Sequence, residues 1–406
     1  MIRRYKCMQK SKPIIVPRYT FSEIYGPDLI FNPRPSFAHN KWIPDCPVKL
    51  DLLTGSQFAV MGEMPVICSR SVTTRQAIDL YERAGLQLRF PMHYYSTEED
   101  YRNLFKRLED ERKRMVVQHI HPEEEMSALN YWIDPKLVQY LNNKANLEEL
   151  VPEGHAPKRV STTAAKLHEH LEAFSLPCVV KAATNEANAA GFDVFICKTD
   201  EDIQKAEKFF ETCEGIVIEE YLEIEHNYCV QFACTFDEKL IYLGSTVQNI
   251  DENAKYKGNW VDEDSEPDSE VIKIGRRIME EGCKRGYRGI AGFDIAVTPD
   301  GRKIAFDLNY RVNGSTAALL LKDSITEQLG KRVVKYVSWK SSGGIEPLYD
   351  TVKQAIEDGY FVPLSIYNGS ESPYEDADTL IQGLVLGDSR YEADQKEHIF
   401  ERAGLS

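Results

Sequence analysis

The chain has 406 residues, 42% hydrophobic and 28% charged, with a formal net charge of −15. That length allows two or three domains with a sizeable core. The negative balance argues against nucleic acid as a main partner, because phosphate-backbone binding needs local positive charge. No run of about eighteen apolar residues appears, so a membrane span is not expected. The basic start, MIRRYKCMQKSKPIIVPRY, has too short an apolar stretch for a secretory signal. Nine cysteines are scattered without metal-ligand spacing, and a reduced, cytoplasmic, disulfide-free protein is expected.

Residues 1 to about 140 read as a mixed α/β domain. The segments 58–61 and 66–68 have the composition of short strands, and 25–47, rich in Pro and aromatics, predicts an ordered surface loop. An amphipathic helix is expected over 73–84, stopped by Gly85. A charged helix is expected over 102–114, its acids marking a solvated face, with a strand over 115–119.

From Leu141 the texture changes. A helix is predicted over 141–150, then strands at 177–182, 192–197 and 216–222, with small polar residues over 184–190 as a loop. Long strands around 228–236 and 240–246 predict an antiparallel sheet. A helix over 271–285 leads to two strands, 292–297 and 303–311, joined by Thr298-Pro-Asp-Gly301, whose residues favour a tight hairpin turn. Helical sequence is expected from Gly314 to about Val337. Past the break at Ser341-Ser-Gly-Gly344 lies a segment of some sixty residues.

The hairpin carries the chemistry. Strict alternation in its second strand puts Ile304, Phe306 and Leu308 on one face and Ala305, Asp307, Asn309 and Arg311 on the other, with Asp294 falling back beside them. Two carboxylates and an amide make an oxygen-only set that suits Mg²⁺, which binds through few protein oxygens plus substrate phosphates. Arg311 adds a fixed charge able to steady a phosphoryl group in flight. A nucleotide-dependent enzyme is the expectation.

In order along the chain, Lys144, Lys181, the exit Glu219-Glu220-Tyr221-Leu222, Asp294, and Asp307-x-Asn309-x-Arg311 form a series that resembles the ATP-grasp superfamily over roughly residues 140–325. The resemblance implies an α/β (α+β) ATP-grasp fold. Two α+β lobes (141–330) would sandwich ATP, preceded by an α/β pre-ATP-grasp domain (1–140) and followed by a C-terminal segment (331–406) packed on them. It implies that Lys144 and Lys181 hold ATP phosphates, with Lys181 also catalytic. Residues 219–222 would form the hinge, with backbone groups of Glu220 and Leu222 on the adenine. Glu225 or Asn227 would contact the ribose, and Asp294, Asp307 and Asn309 would hold one or two Mg²⁺ (or Mn²⁺) ions. Arg311 would lie over the transferred phosphate. It would also bind the substrate carboxylate with Asn313, Gly314 and Ser315, while Gln248 and the loop 256–259 lie where relatives contact substrate. The loop 184–191 departs from the pattern, having a single Gly where relatives are glycine-rich.

The implied reaction activates an amino-acid or small-peptide carboxylate as an acyl phosphate and forms an amide, releasing ADP and phosphate. The layout is similar to natural-product ligases that carry a pre-ATP-grasp domain, such as pheganomycin-type peptide ligases and butirosin-type aminoacyl–carrier ligases. Two alternatives follow. One is transfer to the phosphopantetheine thiol of an acyl carrier protein, which predicts a basic docking patch near Lys331-Arg332 or Lys335. The other is a nucleotide-binding regulatory module without catalysis. A homodimer is compatible with the chain, and small-molecule carboxylate and amine substrates are the expected partners.

Overall fold

A computed structural model describes residues 13–188, 191–250 and 256–406. The first twelve residues of the basic start, Ala189 and Ala190 of the predicted loop, and the side chains of Tyr256 and Lys257 lie outside that description.

Three sheets organise the molecule. The first has order β3-β2-β1-β4, all parallel, from β1 (Leu29–Asn32), β2 (Val66–Ser69), β3 (Met92–Tyr95) and β4 (Arg114–Val117). Every residue of β1 and β2 is buried, as expected for strands covered on both faces. β1 falls within 25–47, where a loop was expected. Flanking prolines mask a three-residue apolar run, Leu-Ile-Phe, that with Asn32 becomes a central strand. Conversely, Phe58–Val60 forms a 3-10 turn instead of a strand.

The second sheet is antiparallel, order β5-β8-β6-β7, from β5 (Arg159–Thr162), β6 (Cys178–Ala182), β7 (Val194–Cys197) and β8 (Ile216–Glu220). It has a separate apolar core that includes Val180, Ile218, Leu171 and Phe210. The third sheet has eight strands in the order β13-β12-β9-β10-β11-β14-β16-β15. These are β9 (His226–Cys234), β10 (Leu240–Ile250), β11 (Tyr256–Val261), β12 (Gly289–Val297), β13 (Lys303–Asn309), β14 (Val333–Ser341), β15 (Phe361–Tyr367) and β16 (Thr379–Gly387). The last three come from the C-terminal segment, which therefore extends this sheet.

The helix after Gly314 runs Thr316–Leu329 and ends where Gly330 takes φ 70°, a left-handed conformation that glycine adopts without Cβ strain. The following Val-Val-Lys-Tyr-Val alternates as a strand, so the helix expected as far as Val337 stops short. The helix expected over 141–150 is broken as well. Pro135–Asn142 is helical, Asn143 caps a 3-10 turn at Lys144–Asn146, and Leu147–Leu150 adds one more turn. That break frees Lys144 from a helix surface and turns it inward, 9% exposed. Among the described residues no helix is long and apolar enough to cross a membrane.

Candidate active site

Cross-strand pairing stacks the hairpin residues into rows on one face of the large sheet. Asp307 pairs with Asp294, which pairs with Cys229, which pairs with Thr246. One step along, Asn309 pairs with Gly292 and then Gln231; one step the other way, Ile304 pairs with Ala296 and then Asn227. Gln248 follows two residues after Thr246, so it shares this face at the Asn227 end. Gly292 is needed in its row, because a Cβ there would lie 2.6 Å from Asn313 Nδ2.

Strict alternation fails at one point. The register slips between Asp294/Asp307 and Ile295/Ala305, leaving Phe306 as the extra residue of a β-bulge. Ala305 therefore joins the main core with Ile295. Ile304 and Phe306 join Leu222 and Ala296 in a small apolar patch on the site side. The expected opposition of Ile304 and Phe306 to Asp307 is thus corrected: the bulge brings an apolar floor and the carboxylates to one face.

Charges converge on these rows from three directions. Lys144 Nζ lies 2.5 Å from Asp307 Oδ1 and 3.4 Å from Asp193 Oδ2. Lys181 Nζ lies 2.6 Å from Glu219 Oε2 and donates to the Phe306 carbonyl at 2.7 Å, where the bulge exposes it. Arg159 Nη1 is 3.4 Å from Glu219 Oε1, and its Nη2 donates to the Lys144 carbonyl. Asn309 Nδ2 donates to Asp307 Oδ2 at 3.1 Å, and Arg311 Nη2 donates to Asn309 Oδ1 at 2.6 Å. Asn313 Nδ2 donates to the Arg311 carbonyl at 2.9 Å. Ser315 Oγ accepts from Gln231 Nε2 at 2.9 Å, so this hydroxyl already serves the sheet.

The two facing aspartates differ in kind. Burial, with repulsion from Asp307, pushes Asp294 up to about 7. For Asp307 burial pulls the same way, but Lys144 and Lys181 outweigh it and hold the carboxyl at about 2. Burial also lowers the Arg311 guanidinium, against the pull of both aspartates. The donor set is hard oxygen with one carboxylate left short of positive charge, and that fits a divalent cation. Asn309 would have to rotate its amide to offer Oδ1, which Arg311 now engages.

Other expected residues are placed as follows. Glu219 is buried between Lys181 and Arg159. The Glu220 N–H is committed to the Lys158 carbonyl, and its carboxylate ties to Arg302 of the hairpin turn at 3.0 Å. Leu222 forms part of the apolar patch. Glu225 is exposed, its N–H bonded to the Val297 carbonyl, whereas the buried Asn227 Oδ1 is without a hydrogen-bond partner. Gly314 lies at the head of the Thr316–Leu329 helix, beside Tyr336. Of the residues expected to form a basic patch, Arg332 is exposed while the two lysines are paired with acids. Lys335, 5% exposed, pairs with Asp394 and Glu397, and Lys331 pairs with Asp388 and Glu392.

Three site residues carry no sequence signal: Asp193, which follows the small polar loop, Arg159, and His119. His119 is buried past the end of β4; burial, then the nearby Arg311 charge, holds its ring well below the usual imidazole range.

An antiparallel small sheet facing a large one, with lysines from one side and a carboxylate hairpin from the other, defines the class: this chain is an ATP-grasp carboxylate ligase. Within that class two family models match it. They are the L-aspartate–L-methionine ligase N-terminal domain over residues 20–139 and the L-aspartate–L-methionine ligase ATP grasp over 157–309. Solved structures share the fold. An L-amino acid ligase from Bacillus licheniformis is 12% identical with a TM-score of 0.55, over 93% of this chain and 97% of that one. A phosphoribosylamine–glycine ligase from Thermotoga maritima is 14% identical at 0.56, over the same shares. An N5-carboxyaminoimidazole synthetase from Staphylococcus aureus, complexed with ADP, is 12% identical at 0.54, over 95% and 98%.

Proposed function

We propose that the protein joins the carboxylate of one amino acid to the amine of another with ATP, L-aspartate and L-methionine being the first pair to test. The matching family models carry that pair in their description, and the site chemistry supports the reaction class. The observation that carries the reading is the meeting of Asp294, Asp307, Lys144, Lys181 and Arg311 around one patch of sheet.

A free carboxylate is a poor acyl donor, because its leaving group would be oxide. Transfer of the γ-phosphoryl group to one carboxylate oxygen gives an acyl phosphate and ADP. The amine then attacks the carbonyl, phosphate leaves with the C–O bonding pair, and the amine loses a proton. Lys144 and Lys181, held by Asp307 and Glu219, would take phosphate oxygens. Magnesium at Asp294 and Asp307, with Asn309 completing the set, would neutralise charge on the terminal phosphates. Arg311, braced by Asn309, would meet the transferred group and the developing oxyanion. Leu222, Ala296, Ile304 and Phe306 give an apolar floor suited to a purine ring, and Asn227, with its unpaired Oδ1, is the nearer candidate for the ribose.

Incubation with ATP, magnesium, L-aspartate and L-methionine should release ADP and yield a product one water lighter than the pair. ADP release that needs neither amino acid, or AMP in place of ADP, would overturn this reading.

A further inference from the structure

The face of the small sheet turned to the large one carries a charged cluster that strand pairing brings together. Between β5 and β8, Arg159 stands directly opposite Glu219, and between β8 and β6, Glu219 stands opposite Val179. Lys181 follows two residues after Val179, so it is the diagonal neighbour of Glu219 on the same face. The alternate residues Val160, Val180 and Ile218 pack into the lobe's own core on the other face. The charged face is nonetheless deeply covered: the side chains of Arg159 and Glu219 are 3% exposed and that of Lys181 is 6% exposed.

One carboxylate in this cluster serves two cations unequally. Lys181 Nζ lies 2.6 Å from Glu219 Oε2, whereas Arg159 Nη1 stands 3.4 Å from Oε1, and neither of these last two atoms has a hydrogen-bond partner. Buried polar atoms are nearly always bonded, so this unclosed pair needs a physical reason. The guanidinium is anchored by its other nitrogen, Nη2, which donates to the Lys144 carbonyl. That carbonyl belongs to the 3-10 turn Lys144–Asn146, the turn that directs Lys144 inward. Burial lowers the Arg159 guanidinium, against the pull of Glu219. A count of charges shows what the arginine adds. Glu219 by itself would cancel Lys181 and leave a phosphate chain no net attraction from this pair. A second cation on the same carboxylate leaves one positive charge in excess.

We propose that Arg159 is a positioning residue for the nucleoside triphosphate of this ligase class. As Lys181 swings to the phosphates, Arg159 Nη1 closes on Glu219 Oε1 and keeps that buried carboxylate paired. Its Nη2 meanwhile keeps the Lys144 turn in place, so one side chain steadies both lysines. A guanidinium suits this task, because its planar fork serves two partners in fixed geometry, which a single ammonium does not. In this role Arg159 acts through the two lysines and not on the phosphates themselves. The inference rests on the reading that Lys144 and Lys181 hold ATP, and it adds the group that lets Lys181 leave its carboxylate without stranding a buried charge.

Calorimetric titration of the full chain with magnesium and a non-hydrolysable ATP analogue tests this through a double-mutant cycle. Arg159→Met leaves Glu219 to hold Lys181 alone, and should weaken binding about tenfold or more. Adding Glu219→Gln removes the charge that competes with phosphate, and the double variant should bind about tenfold tighter than Arg159→Met. An arginine that only supports the fold predicts the opposite, since a second buried substitution then adds to the damage. Arg159→Lys, with one nitrogen for two partners, should recover part of the loss. Measured with and without Glu219→Gln, it carries the comparison if Arg159→Met does not fold. In turnover the loss should fall on the KM for ATP, with kcat nearly kept. Normal binding by Arg159→Met, or a double variant no tighter than the single, overturns the assignment. If Lys181→Met binds the analogue as the wild type does, the phosphate reading of the lysines fails and this inference with it. A Lys181→Met defect beside normal Arg159→Met binding sinks the inference alone.

Discussion

The small lobe and the carboxylate hairpin carry opposite imbalances of charge. Around Glu219 two cations, Lys181 and Arg159, share one buried carboxylate. On the hairpin two half-buried carboxylates, Asp294 and Asp307, face each other across paired strands, and Lys144 pairs only with the second. One region has positive charge to offer an anion, and the other has negative charge to offer a cation. Each partly quenches the other, with Lys144 on Asp307 and Lys181 on the Phe306 carbonyl. The difference teaches why a metal–nucleotide complex suits the gap: its phosphates complement one side and its cation the other.

Each half of this comparison can be broken separately. Arg311→Ala removes the guanidinium that Asn309 aims, and should lower kcat for ADP release by about 10³-fold or more, with nucleotide affinity nearly kept. Asp307→Asn removes the anion on which Lys144, Lys181 and Arg311 act. It should cost about 10²–10³-fold in kcat and flatten the response of rate to magnesium concentration. Unchanged magnesium titration would reject the hairpin as the cation side. Lys181→Met leaves Glu219 with Arg159 alone, and should appear first as a raised KM for ATP, about tenfold or more.

A gentler test uses pH. The folded-state value of Asp294 is raised to about 7, so it favours the fold fully only below its unfolded value of about 4 and withdraws that support as pH rises through 7. Thermal stability without divalent ions should therefore fall between pH 4 and 7, and Asp294→Asn or added magnesium should flatten the slope. A slope that survives both would mean another group is responsible. The smallest effect is expected from Gly292→Ala, whose new methyl group would push on the Asn313 amide that steadies the Arg311 carbonyl. A severalfold rise in the KM of the carboxylate substrate is the sign to look for.

Alternation and a Thr-Pro-Asp-Gly turn made the hairpin readable before any coordinates, because hydrogen-bonded pairing and turn geometry are local. The series from Lys144 to Arg311 was readable as a resemblance for the same reason, since each member stands in a short local frame. The strand β1 was hidden by its prolines, and β14 was absorbed into the helix before it, because a three-residue apolar run or an alternating stretch after a helix has no unambiguous local signal. Asp193, Arg159 and His119 could not be found at all. Asp193 and Arg159 reach Lys144 and Glu219 from other elements, the charge of Arg311 acts on His119 through space, and spacing along the chain says nothing of such meetings.

What the sequence determined alone was the composition of a hard-oxygen hairpin with an adjacent arginine, and the order of the lysines and carboxylates around it. Tertiary structure decided which side each residue faces and what charge it keeps. The bulge at Phe306 moves Ile304 and Phe306 to the side of Asp307, and the lysines that reach Asp307 separate two chemically identical aspartates, both raised by burial, into a group near 7 and one near 2. Both outcomes depend on neighbours brought in from distant parts of the chain, because desolvation and Coulomb interaction act through space and have no signature in the spacing of residues.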